Sequence, residues 1–254
     1  MRGAYELSEH DGGTYFVQGP ASNWVVLRAG DRFTLIDGGY PADTASVLDS
    51  IRALGLEPAA AAAMLLTHGH VDHTGAANHF ATTYGTTVLC AAAEYGQVLG
   101  RERFQVGPRE ILLRAWRPAV FRWAVHVLRA GGATPTAVPS VGAWDAAALA
   151  ALPGSPVPVP TPGHTPGHTA FHLPLASVLV SGDALVSGHA ISHLAGPQML
   201  HPMFHHDVPG AYRALAAFSA LTATTVLPGH GPALHEDAAT AARLAGGQHR
   251  PWRG

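Results

Sequence analysis

Residues 67–73 read Thr-His-Gly-His-Val-Asp-His, directly after the apolar run at 63–66. His68, His70, Asp72 and His73 thus place three imidazoles and one carboxylate within six positions. Imidazole suits zinc, iron and similar ions, while a carboxylate can bridge two of them. His68 and His70, two apart, can address one ion, and Asp72 and His73 can reach a neighbouring one. Four more stretches share the form: FTLIDGG (33–39), VPTPGHTPGH (159–168), VLVSGDA (178–184) and TVLPGHG (225–231). In each, an apolar run ends in a glycine-rich turn that presents Asp37, His164 with His168, Asp183 or His230. Ligand sites in α/β sheets gather at the carboxyl ends of strands, where separate segments converge. This chemistry calls for a metal centre assembled from several strand ends.

The elements that must carry these turns alternate between strand and helix patterns. TYFVQ (14–18), NWVVLRA (23–29) and RFTLID (32–37) read as consecutive strands separated by turn residues. A helix is expected over 43–54, with Val47, Leu48, Ile51 and Leu54 on one face and Gly55 just past its end. AMLLT (63–67) and TTVLC (86–90) read as strands, with a helix between them at 74–85. Further strands are expected at 156–161, 169–174, 177–181 and 224–228. Helices are expected at 208–220, with Asp207 as N-cap, and at 235–245.

Residues 91–150 break that rhythm. They hold seven of the fifteen arginines and three of the five tryptophans, divided by the Gly/Pro/Thr-rich stretch 130–142. The segment reads as a helical insertion lying over the site, and its arginines over 101–129 either shape an anion pocket with Trp116 and Trp123 or, the favoured reading, line solvated helix faces while Trp and Leu turn inward. As a lid it is a source of specificity.

Composition narrows the function. With 47% hydrophobic and 13% charged residues, the 254-residue chain can bury a sizeable core. A net charge of −2 gives no footprint for nucleic acid. Every basic residue is arginine, so lysine chemistry of any kind is excluded. One cysteine, Cys90, rules out an internal disulfide and a thiolate-rich metal site, and reads as a packed core thiol. The N-terminus lacks a signal-peptide core, and no apolar run is long enough to span a bilayer. A cytoplasmic protein without membrane partners is the expectation, its oligomeric state open.

The ordered set of turns resembles the metallo-β-lactamase-fold metallo-hydrolases. Their T-H-x-H-x-D-H signature is matched by residues 67–73, followed in order by the GHT of 163–165, the SGD of 181–183 and the PGHG of 228–231. The resemblance covers roughly residues 14–234, leaving 91–150 aside. It implies an α/β fold, a four-layer αββα sandwich forming a single domain over 1–254, with a metal centre between two sheet edges. By it, His68, His70 and His164 bind a first ion, Asp72, His73 and His230 bind a second, and Asp183 bridges them. The implied cofactors are two divalent ions, zinc first, with iron or manganese as the other candidates. Two such ions acidify a shared water, from ~16 towards ~7, and the resulting hydroxide attacks a small ester, thioester, lactone or amide. Asp72 is the expected orienter of that nucleophile. His168 and Asp37 are expected beside the ligands rather than on the ions.

His189, His193, His201, His205 and His206 crowd the stretch after Asp183. They read either as a substrate-facing loop supplying protons or hydrogen bonds, with His189 the best candidate, or as a histidine-rich surface loop. His205 and His206 could also pair on a third ion. The family's class B1 enzymes place a cysteine where Asp183 stands and use a lysine absent here, so antibiotic hydrolysis is not the expected native role. A glutathione thioesterase of this family carries an extra C-terminal domain, and only a short tail follows His230. Two other classes remain: a mononuclear iron persulfide dioxygenase using His68, His164 and Asp183, and a non-catalytic metal-binding module.

Overall fold

The computed structural model describes residues 5–247, and adjacent strand residues in it enter different cores. Strands β1 (Glu6–His10), β2 (Thr14–Gln18), β3 (Asn23–Ala29), β4 (Arg32–Ile36), β5 (Ala61–Leu65), β6 (Val88–Cys90) and β7 (Gly142–Ala143) form one sheet in that order. The first four are antiparallel, and β4 through β7 run parallel. A second sheet holds β8 (Val157–Pro160), β9 (Thr169–Leu173), β10 (Val178–Gly182) and β11 (Thr225–Pro228), with β10 and β11 parallel.

Side chains alternate across a strand. Val17, Val26, Leu35 and Met64 therefore face one way, and Phe16, Val25, Ile36 and Leu65 the other. The first set packs on helices α1 (Thr44–Ala53) and, beyond the short α2 (Val71–Thr74), α3 (Ala77–Tyr84). The second set meets Phe171, Val178, Val180 and Leu227 from the other sheet. Burying each such large side chain contributes about 1.5–3 kcal/mol as an upper figure. The remaining helices are α4 (Tyr95–Val98), α5 (Pro108–Leu112), α6 (Pro118–Arg129), α7 (Ala146–Ala150), α8 (Val208–Ala214) and α9 (Ala238–Gly247). Ala211 of α8 and Ala238, Ala241 and Ala245 of α9 cover the outer face of the second sheet against Leu179 and Val226. The layers are thus helix, sheet, sheet, helix, as the resemblance implies. Among the described residues, no helix is long and apolar enough to cross a membrane.

Several boundaries differ from the sequence expectation for local reasons. The strand expected to reach Asp37 stops at Ile36, because Asp37 takes a left-handed backbone with φ 61°. The helix expected over 74–85 divides at Gly75, which lies against the Tyr40 backbone where no Cβ would fit. The helix expected over 208–220 is α-helical only to Ala214 and tightens into a 3-10 turn over 215–220. Asp207 does occupy the N-cap of α8, but its side chain makes no capping bond and pairs with Arg213 at 3.4 Å.

Helices α4 to α7 all lie within 91–150, and both ends of that stretch are tied into the sandwich. Val98 enters the core on the outer face of the first sheet. At the far end β7 pairs with β6, Leu149 enters the inter-sheet core, and the Trp144 ring lies 5.3 Å from Phe171. Helices α5 and α6 stand over the cavity described below.

Cys90 closes β6 fully buried, and burial, with Glu94 nearby, pushes its thiol up to about 12. Since the thiolate is the reactive form, native protein at pH 8 is expected to resist an aromatic disulfide reagent and react only once denatured. Rapid labelling in native buffer would show that the β6 edge opens.

Candidate active site

The parallel pairs β4–β5 and β10–β11 end at one rim, and the histidines and aspartates stand in the turns beyond them. Asp37 follows β4, residues 67–73 follow β5, Asp183 follows β10 and His230 follows β11; His164 comes from the loop between β8 and β9. The structure brings seven expected residues together. Asp183 is central: its Oδ2 lies 3.2 Å from His230 Nε2, 3.4 Å from His164 Nε2 and 3.9 Å from His68 Nε2, and its Oδ1 lies 3.4 Å from His73 Nε2. Asp72 Oδ2 lies 3.4 Å from His230 Nε2 and 3.9 Å from His73 Nε2. His70 Nδ1 is 2.9 Å from His164 Nε2. At Gly229 any side chain would strike Asp183 and His73, so the turn before His230 has to be glycine.

The outer nitrogen of each imidazole is engaged, which fixes the character of the inner one. Asp37 accepts the Thr67 amide, the Thr67 hydroxyl and His73 Nδ1–H, each at 2.8 Å. With its proton given to Asp37, the Thr67 oxygen accepts His68 Nδ1–H at 3.0 Å. The Ala21 carbonyl accepts His230 Nδ1–H at 2.7 Å, and the Phe104 carbonyl accepts His70 Nε2–H at 3.4 Å. His205 gives its Nε2–H to the Leu200 carbonyl, so its Nδ1 accepts His164 Nδ1–H at 3.3 Å. Five inner nitrogens are left to offer lone pairs to the Asp72–Asp183 centre, each oriented by a partner on its far side.

That arrangement fits metal ions. His68 Nε2, His73 Nε2 and Asp183 Oδ1 are buried without a hydrogen-bond partner, a costly state unless a cation fills it. Three triplets could hold an ion: His68, His70 and His164; His68, His73 and Asp183; Asp72, His73 and His230. Burial, reinforced by the neighbouring histidines, holds His68 well below the usual imidazole range. Burial would do the same to His73, but Asp183, Asp37 and Asp72 outweigh it and hold His73 well above that range. Without an ion His73 therefore carries a proton, which a cation would displace.

The other expected residues take distinct places. His168 Nε2 accepts the Asp183 amide at 3.0 Å, and its Nδ1 meets the Thr161 hydroxyl at 2.8 Å. Both its nitrogens are engaged by protein, so it positions Asp183. His189 stands 5.2 Å from the His230 ring on the cavity wall. His193 and His206 are exposed, and His206 packs on Phe104 instead of joining His205. His201 accepts the Met203 amide.

Sequence reasoning missed Glu94 and Tyr40 and did not foresee the part played by His205. Glu94 is fully buried and accepts the Gly69 amide at 2.8 Å and the Gly167 amide at 2.7 Å. One carboxylate thus clamps the turn holding His68 and His70 to the turn holding His164 and His168. Its only sequence signal is an acid inside the apolar stretch AAAEYG. Tyr40 is buried beside Asp72. Glu94→Gln would turn an NH2 group onto one of the two amides. It is expected to lower zinc affinity ~10–100-fold, measured by competition with a chromogenic chelator, with unchanged circular dichroism. Unaltered affinity would mean that the turns hold without the clamp.

A family model described as the metallo-beta-lactamase superfamily matches residues 17–230. No curated protein matches the sequence. Solved structures share the fold at low identity. A Cronobacter sakazakii metallo-beta-lactamase with a HARLDQ motif superposes with TM-score 0.62 at 20% identity, covering 91% of this chain and 80% of that one. MEM-A1, a subclass B3 metallo-beta-lactamase from a soil metagenome library, gives 0.63 at 18%, covering 96% and 94%. TTHA1623 in a di-iron-bound form gives 0.59 at 24%, covering 92% and 95%. With the helix–sheet–sheet–helix layering, the histidine–aspartate rim and a family match running from Val17 to His230, the chain belongs to the metallo-beta-lactamase superfamily.

Proposed function

We propose that the protein is a dinuclear metal-dependent hydrolase that cleaves a small ester, thioester, lactone or amide. The observation that carries this reading is the convergence of five inward-facing imidazole nitrogens on two carboxylates, with every imidazole fixed from behind. His68, His70 and His164 would hold one divalent ion, Asp72, His73 and His230 the other, and Asp183 would lie between them. Zinc suits these donors, and iron is the alternative raised by a di-iron-bound structural neighbour. Two bound ions would supply an acidified water, with a pKa near ~7, and polarise the substrate carbonyl. In this reading the chain is one catalytic domain, and 91–150 supplies its lid.

The remaining chemistry falls to the chain's own groups. Asp72 has 13% of its side chain exposed against 3% for Asp183, so Asp72 is the carboxylate open to the cavity. It accepts a hydrogen bond from the attacking water, aims it at the carbonyl and takes its proton. Burial, with Asp72 and Asp183 close by, holds the Tyr40 phenol well above its usual range, so it keeps its proton beside Asp72. Burial also lowers His189 to about 3, with His230 adding to the effect, so its ring is neutral at physiological pH. Its Nδ1 accepts the Ile191 amide at 3.3 Å, which leaves the proton on Nε2. That N–H is available to the negative charge developing on the substrate oxygen.

Purified protein is expected to hold close to two equivalents of zinc or a similar ion by plasma mass spectrometry, falling towards one in His230→Ala. A single iron, unchanged in that variant, would overturn the dinuclear reading in favour of an iron oxygenase. Asp72→Asn is expected to lower kcat on an ester, thioester and lactone panel by ~10²–10⁴. Undiminished turnover would remove Asp72 from its role.

A further inference from the structure

The cavity above the histidine–aspartate rim is polar at its floor and mostly apolar above it. It encloses about 410 Å³, within the ~300–1,000 Å³ typical of small-molecule sites. Its floor is the cluster itself, with Tyr40 and His189 alongside. Away from the floor, Arg103 and Gln105 are the only polar side chains on its walls among the described residues. Ile111 of α5, Trp123 and Val127 of α6, and Leu200 and Phe204 opposite make the rest of the wall apolar.

The apolar lining continues out of the cavity onto the surface. Leu112, Phe121 and Leu128 line it and are also 73%, 58% and 66% exposed. Of nine exposed large apolar residues among those described, five fall within 112–128. Such concentration on one short segment marks a binding surface rather than the usual scatter. A small polar substrate would leave all of this area wet.

We propose that the substrate is a straight-chain acyl ester, thioester or lactone of medium to long chain. Its carbonyl lies on the rim, and its hydrocarbon tail runs between α5 and α6 to the Leu112–Phe121–Leu128 mouth. This rests on the hydrolase reading for the bond that breaks, but not for the tail. Water adds its oxygen to the acyl carbon, the bond to the leaving oxygen or sulfur breaks, one proton of the water passes to that atom and the other is released as the acid ionises. The product is a fatty carboxylate that still fills the cavity.

The test follows chain length in two independent readouts on the full chain. Calorimetry measures binding of straight-chain carboxylates from butanoate to dodecanoate, with and without zinc. Kinetics measures hydrolysis of acyl thioesters of the same lengths with one common leaving group. Both the association constant and kcat/KM are expected to rise about fourfold per methylene, which is ~0.8 kcal/mol each, then level off. Ala124→Phe, which places a ring in the cavity from α6, is expected to bring the plateau to shorter chains. Profiles flat in chain length, or a preference for benzoyl over decanoyl groups, would overturn the acyl-chain assignment while leaving the hydrolase reading intact. Rising carboxylate binding without cleavage of any thioester, ester or lactone would do the reverse. It would keep the tail site and remove the hydrolase reading.

Discussion

The Asp37 carboxylate is the contact on which the site is built. Its two oxygens accept three hydrogen bonds, from the Thr67 amide, the Thr67 hydroxyl and His73. To make them, Asp37 adopts a left-handed backbone that costs a non-glycine residue of the order of 1–3 kcal/mol. Through Thr67 the same carboxylate also sets the ring of His68. One strained residue at the end of β4 therefore orients two imidazoles at the end of β5, and the strain persists because three bonds hold it.

The same logic recurs around the rim with different partners. Backbone carbonyls of Ala21 and Phe104 orient His230 and His70, and the side chain of His205 orients His164. The fold supplies these partners because both sheets end at the same edge. Each ligand turn thus stands within reach of the turn beside it. Burial makes such support valuable, since an imidazole sealed from water with an unpaired outer N–H would cost about 1–3 kcal/mol.

Much of this was legible in the residues. T-H-G-H-V-D-H and the later glycine-rich turns name their chemistry through residue type and strand-end position, and the two packed sheets were implied by the family resemblance those turns carry. Glu94 was not legible, because a lone acid in AAAEYG has no periodicity and its partners, Gly69 and Gly167, are backbone amides. Tyr40 sits in a turn whose path onto Asp72 depends on the close approach at Gly75. The break between α2 and α3 has the same cause and was hidden by an otherwise helical pattern. Asp207 shows the converse: a residue of the right type at the N-cap, whose side chain pairs with Arg213 instead.

Asn23 at the start of β3 gives its side-chain amide to the carbonyls of Pro228 and Gly231, at 2.9 and 2.8 Å, and its backbone amide to Gly229. Glu94 makes the matching tie on the other flank of the rim. The two sheets are thereby pinned to each other on both sides of the cluster, and sliding of one over the other would strip buried polar groups of their partners. Shear between layers is closed to this molecule as a way of admitting a ligand. Above the cavity the outer faces of α5 and α6 are wet, while Val120 and Trp123 of α6 pack on Val186, Leu200 and Phe204 and the Ala130 carbonyl at its end accepts the Ala42 amide at 3.1 Å. The floor is a fixed template held by polar ties, and the roof above it is held mainly by apolar contacts.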